Sequence, residues 1–153
     1  MSEPFAAADG RVSDETTREA ALRAIHSLNV VRESRSPVEV GVEDGVVTLR
    51  GWVLSDVMRR VVIGIVEATP GVRRVIADQL YDDTNLRLAV GRALAADPLL
   101  SRQSNIYVSC YQGMVTLAGE VEDEEERDMA SQTAASVAGV RSVVERLSMR
   151  STV

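Results

Sequence analysis

The chain has 153 residues, 45% hydrophobic and 26% charged, with a formal net charge of −6. That is the composition of an ordinary folded protein, and the length allows one large domain or two small ones. All 17 basic residues are Arg, set against 23 acids, so the chain lacks the basic balance needed to displace counterions from nucleic acid, which excludes general nucleic-acid binding.

The N-terminus carries Glu3, Asp9 and Asp14, without a basic start or an apolar run, so it shows no signal peptide. The expected location is cytoplasmic, or periplasmic if a leader has been removed. Residues 1–14 are expected to be a flexible tail. Ala21, Leu22, Ile25 and Leu28 then recur at helical spacing, predicting a helix over about 15–28 that Asp14 can cap. Val38, Val40 and Val42 alternate as a strand. Asp44-Gly45 makes a hairpin turn, and Val47, Leu49, Gly51 and Val53 alternate as the partner strand. Ser55 or Asp56 caps a second helix, which Pro70-Gly71 ends, and Val72 to Leu80 forms a third strand. The longest apolar run, Val61 to Val66, is far shorter than the ~20 residues of a membrane span.

The pattern then repeats. Gly45-Val46-Val47-Thr48-Leu49-Arg50-Gly51 returns as Gly113-Met114-Val115-Thr116-Leu117-Ala118-Gly119, 68 residues on, and Gly71-Val72-Arg73 returns as Gly139-Val140-Arg141. Read at that one offset without a gap, the second copy predicts helices over 83–96 and 123–137 and strands over 105–111, 114–121 and 140–148. The fold class is α+β: two tandem αββαβ modules, 15–80 and 83–148, each a three-stranded mixed sheet with two helices on one face, and a short tail over 149–153. Tyr81 and Asp82 are nearly all the linker, which favours a fixed arrangement over a free tether.

Strand alternation assigns Val38, Val40, Val42, Val47, Leu49 and Val53, with their second-copy mates, to the covered sheet face. Trp52, Tyr107 and Tyr111 fall on the open face. They either cover one another across the junction of the copies or form a surface for a partner, lipid or oligomer. In the helix Asp56 to Ala68, Val62, Ile65, Val66 and Thr69 take the core side. Val57, Met58, Val61 and Ile63 are left over, beside Arg59 and Arg60, whereas the mates of Val57 and Met58 are Glu125 and Glu126. Such a flank suits an anionic membrane surface or a partner helix, or packs on the other copy. Residues 15–80 carry nine Arg and nine acids, and residues 83–148 six Arg and ten acids, so the first copy is the one expected to meet anionic lipid.

No catalytic or metal-binding set stands out, and no cofactor is implied. The acidic run Glu122 to Glu126 lies at a helix start, where the helix dipole favours it, and lacks the spaced oxygen ligands and turn Gly of a Ca²⁺ loop. His26, the only histidine, falls opposite Leu94, which predicts a partly buried helix position. Cys110, the only cysteine, falls opposite Val42 and reads as a core residue; a disulfide within the chain is excluded. No zinc spacing, P-loop or dinucleotide fingerprint is present.

An amphipathic helix, then Asp44–Val53, a helix and Pro70–Val75, resembles the bacterial OsmY and nodulation (BON) domain. The second copy offers Gln112–Val121 and Ala138–Val143, with Gln112 in place of the usual Asp and Ala138 in place of the usual Pro. The resemblance implies the αββαβ fold and a non-enzymatic role associated with phospholipid binding, envelope integrity and osmotic stress in bacteria. It supplies no fixed catalytic residues. The expected function is therefore a non-catalytic binding module for a phospholipid membrane surface, anionic in charge, or for an envelope-linked partner in the stress response, with Val57, Met58, Arg59, Arg60, Val61 and Trp52 as the contact set. The alternatives are a protein-interaction or self-assembling module, and a K⁺ or Ca²⁺ sensor.

Overall fold

A computed structural model describes residues 12–100 and 105–150; the tail assignments over 1–11 and 151–153 lie outside the described residues. The chain divides into two compact units, Met1–Tyr81 and Asp82–Val153. The first contains α1 (Asp14–His26), α2 (Asn29–Ser34), β1 (Val38–Glu43), β2 (Val46–Val53), α3 (Asp56–Glu67) and β3 (Arg74–Asp82). The second contains α4 (Asp83–Ala96), β4 (Asn105–Tyr111), β5 (Met114–Val121), α5 (Glu124–Ala135) and β6 (Ser142–Met149). Each unit is an α+β module around one three-stranded mixed sheet, in the orders β1-β2-β3 and β4-β5-β6. β1 pairs antiparallel with β2 and β4 with β5, and β5 then pairs parallel with β6.

The covered faces form two aliphatic cores. Val40, Val47, Leu49 and Val53 pack with Ala21, Ile25, Val62 and Val66 in the first, and Val115, Leu117 and Val121 with Val90, Leu94, Ala130 and Ala134 in the second. Both hairpins turn through two residues at positive φ, Asp44-Gly45 and Gln112-Gly113, the geometry that matches the right-handed twist of the strands. Gly51 and Gly119, at φ 135 and 116, sit where the chain entering the edge strand crosses close by: a Cβ there would run into the carbonyl of Pro37 or of Asn105.

The two repeated motifs meet in space. The Gly45 carbonyl accepts from the Arg73 backbone N–H at 2.8 Å, and the Gly113 carbonyl from Arg141 at 2.8 Å. From the other side, an aspartate at the start of the first helix accepts both turn N–H groups. Asp14 takes those of Asp44 and Gly45 at 2.8 and 3.0 Å, and Asp83 those of Gln112 and Gly113 at 2.7 and 3.1 Å. The hairpin is thus clasped between helix and third strand, which explains why these sequence motifs recur together.

Four features differ from the sequence expectation. Ser13, not Asp14, caps α1, because Asp14 is occupied by the hairpin. The six-residue α2 is an additional element; its single buried residue, Val31, is too weak a periodic signal to announce it. The gapless alignment is off by one over the first helix. The buried sets Thr17, Ala21, Ile25 and Leu86, Val90, Leu94 superpose at an offset of 69, and the strands at 68. His26 therefore corresponds to Ala95 rather than Leu94, and it is exposed. Finally, the boundaries shift: α1 starts one residue before 15, β6 runs one residue beyond 148, and Tyr81 and Asp82, expected as a linker, are the last residues of β3, which leads directly into α4 with Asp82 as its cap.

Candidate functional site

The flank of α3 is built by a well-formed helix. The Ser55 hydroxyl accepts from the Met58 N–H at 3.1 Å, and Val62 and Val66 anchor the inner side in the core. On the outer side Val57 and Val61 stay 56% and 42% exposed, one turn apart, with exposed Arg60 between them and exposed Gly64 a turn further on. Arg60 lies 3.8 Å from Asp56 on the same helix, a solvated pair of small energetic weight. In α5 the corresponding positions are Glu125, Asp128, half-buried Met129 and Gln132.

The structure does not bring the whole expected contact set together. Met58 and Ile63 pack against the core. Arg59 turns inward along β3 and donates to the carbonyls of Leu80 and Ala77 at 2.7 and 2.8 Å. These carbonyls flank Asp78-Gln79, where the inside–outside alternation of β3 breaks, so Arg59 holds an irregular strand in place. Trp52 lies on the opposite side of the sheet from α3, half-buried and stacked on Tyr81 with ring centroids 6.4 Å apart. The exposed flank therefore reduces to Val57, Arg60 and Val61.

The open sheet faces differ between the units. The first carries a shallow groove of about 620 Å³ lined by Glu39, Gly41, Glu43, Thr48, Arg50 and Ile76 among others. The second presents Tyr107 and Tyr111, 69% and 53% exposed, together with Met114 and Val144, which sequence reasoning did not single out. Comparing the two copies at offset 68 marks the tyrosines, which stand where Glu39 and Glu43 stand, but not Met114 and Val144, which stand where the apolar Val46 and Ile76 stand.

The remaining chemical groups have structural partners. The Cys110 thiol donates to Asp83 at 3.3 Å; burial first, then that hydrogen bond, pushes its pKa up to about 12. A thiol held protonated in this way is a poor nucleophile. In the acidic run, Asp123 caps α5 by accepting from the Glu126 N–H, and the Glu126 carboxylate accepts from the Glu122 N–H at 2.7 Å. Arg150 pairs with Glu122 at 2.9 Å and lies 3.7 Å from Glu120. Among the described residues no group of three or more His, Cys, Asp or Glu side chains is placed to hold a metal ion, and no helix is long and apolar enough to cross a membrane.

The BON-domain family model matches twice, over residues 13–80 and 82–151, one match for each unit. The chain belongs to the BON-domain family. Its two BON domains account for the duplicated clasp and for the open three-stranded sheets. Among solved structures, the chain is similar to the C-terminal domain of CdsD, described as the structural protein of the type III secretion system of Chlamydia trachomatis. The TM-score is 0.61 at 16% identity, over 84% of this chain and 63% of that one, a likeness of fold. A second CdsD structure from C. trachomatis aligns at a TM-score of 0.40 and 14% identity, over 86% of this chain and 91% of that one.

Proposed function

We propose that this tandem BON-domain protein is a non-catalytic binding module that docks reversibly on an anionic phospholipid surface through the outer flank of α3. The observation that carries the reading is the exposed pair Val57 and Val61 with Arg60 beside them, on a helix whose counterpart in the second domain has Glu125 and Asp128 in place of Val57 and Arg60 and a half-buried Met129 in place of Val61. The association of BON domains with phospholipid surfaces supports the class of ligand. The arrangement is that of an interfacial helix in miniature, with apolar side chains to enter the acyl boundary and a cation at headgroup level. Burying the exposed parts of two valines contributes about 2 kcal/mol, and one Arg near an anionic surface about 1 kcal/mol. Attachment of that strength is weak, salt-sensitive and readily reversed, and a second contact on the same particle would raise it by avidity.

Co-flotation with liposomes tests this reading. The protein is expected to float with vesicles containing phosphatidylglycerol at low salt, less at physiological salt, and not with pure phosphatidylcholine. Val57→Asp with Val61→Asp is expected to abolish flotation while leaving the circular-dichroism spectrum intact. Flotation that survives the double substitution removes α3 as the contact.

A further inference from the structure

β3 carries one residue more than its counterpart in the second unit. The core positions Val75 and Val143 stand 68 residues apart, but Leu80 and Leu147 only 67, so four residues lie between the two core positions in β3 and three in β6. β6 pairs with β5 without a break, from Ser142 opposite Met114 to Met149 opposite Val121. The extra residue of β3 falls at the exposed Asp78-Gln79, as a bulge. In a regular strand successive carbonyls point to alternate sides, so those of Ala77 and Leu80, three residues apart, would face away from each other. At the bulge one guanidinium takes both: Arg59 Nε donates to Leu80 at 2.7 Å and Nη2 to Ala77 at 2.8 Å. Arg127, the mate of Arg59 in α5, does neither. It lies 3.8 Å from Glu124 and 4.0 Å from Asp128 on its own helix, and among the described residues it donates to no carbonyl of β6.

We infer that Arg59 is the positioning residue of the docking helix: it clamps α3 to the bulge of β3 and fixes the rotation at which Val57, Arg60 and Val61 face outward. The inference rests on the docking reading of α3. Arg59 lies two residues from both Val57 and Val61, which at 3.6 residues per turn puts it across the helix from them. Its two bonds run to the backbone of the sheet rather than to a mobile side chain, so together they resist rolling and sliding of the helix. The planar fork of Arg suits this task, since two of its N–H groups diverge from one rigid group. The contact it serves is small, two valines and one cation, so its strength depends on all three arriving together. Ordering a loosely held helix at the moment of docking would consume much of that strength. The difference between the units runs the same way. α3 has the apolar flank, the bulge and the clamp, whereas α5, with Glu125 and Asp128 at the corresponding positions, has none of them.

The test compares the full chain with Arg59→Lys and Arg59→Gln, by partitioning onto phosphatidylglycerol vesicles and by amide hydrogen exchange. Lys keeps the charge, but its single ammonium cannot span the two carbonyls. Both variants are expected to keep the parent circular-dichroism spectrum, since Val62 and Val66 still anchor α3 in the core. Amides of α3 are expected to exchange roughly tenfold faster in both, and those of α4 and α5 at the parent rate. Partitioning is expected to weaken about fivefold in both. Arg59→Lys at the parent level in exchange or partitioning overturns the clamp. So does a loss confined to Arg59→Gln, which makes charge alone the cause. A parent that does not partition onto the vesicles removes the docking reading instead, and the exchange of α3 still decides whether Arg59 holds the helix. Should both variants fail to fold, nuclear magnetic resonance of the unaltered chain gives a second reading. The Arg59 Nε–H is expected to exchange with water far more slowly than that of exposed Arg60, and equal rates overturn the inference.

Discussion

Asp83 is the side chain whose removal tests the clasp most sharply. It is 6% exposed, accepts two backbone N–H groups at 2.7 and 3.1 Å, and takes the Cys110 thiol as a third donor. Asp83→Ala strands the buried Gly113 N–H and frees the hairpin from α4. Hydrogen bonds to a charged acceptor contribute about 1.5–3 kcal/mol each, partly offset by the relief of burying a carboxylate, so the net loss is about 3 kcal/mol. Asp14 makes the same two contacts at 2.8 and 3.0 Å but is half-buried, and water replaces part of what Asp14→Ala removes, so that loss is about 1 kcal/mol. With a urea dependence of about 1 kcal/mol per molar for units of this size, the midpoints fall by ~3 M and ~1 M. Far-UV circular dichroism follows Asp83→Ala. Emission of Trp52, the sole tryptophan, follows Asp14→Ala within its own unit. A midpoint for Asp83→Ala within ~0.5 M of the parent, or a larger loss for Asp14→Ala, would refute the clasp as the reason the motifs recur.

Three further outcomes follow from individual sites. Gly51→Ala drives a Cβ into the Pro37 carbonyl at a φ of 135, and is expected to destabilise by ~3 kcal/mol or more in thermal denaturation. Among the described residues the buried Thr17 hydroxyl has no hydrogen-bond partner, where the second domain has Leu86; Thr17→Val is expected to raise the melting temperature, by the equivalent of ~1 kcal/mol. Cys110 is expected to alkylate far more slowly in the folded protein than in urea at pH 8 or so. Because its folded value of about 12 lies above the ordinary 9.0, the stability it contributes is complete below pH 9.0 and is lost as pH rises toward 12. A Cys110→Ser variant should escape that part of the alkaline decline, as read from urea midpoints across the range.

The duplication was legible because Gly-bearing turns leave fixed marks in sequence: the Asp44-Gly45 and Gln112-Gly113 hairpins and the Gly-Val-Arg segments locate both sheets without ambiguity. The first helix has no such marker. Its apolar stripe is broad enough that a shift of one residue still satisfies helical spacing, which is why the offset of 68 that fits the strands sets His26 against Leu94 rather than Ala95. The exposed Val57 and Val61 were visible from comparison of the two copies. The fates of Met58 and Arg59 were not, since helical rotation turns neighbours of an exposed residue inward, and the carbonyls that hold Arg59 belong to a strand 18 and 21 residues away. Trp52 was placed on the correct face, but its stacking partner Tyr81 lies at the end of β3, a contact only the folded sheet creates.

The most direct measurement of the central claim is flotation of the intact chain with phosphatidylglycerol vesicles, comparing the parent with Val57→Asp and Val61→Asp together at two salt concentrations. The account predicts salt-sensitive flotation of the parent and none of the variant, at equal helical content. Equal flotation of both, or none of the parent at low salt, would contradict it.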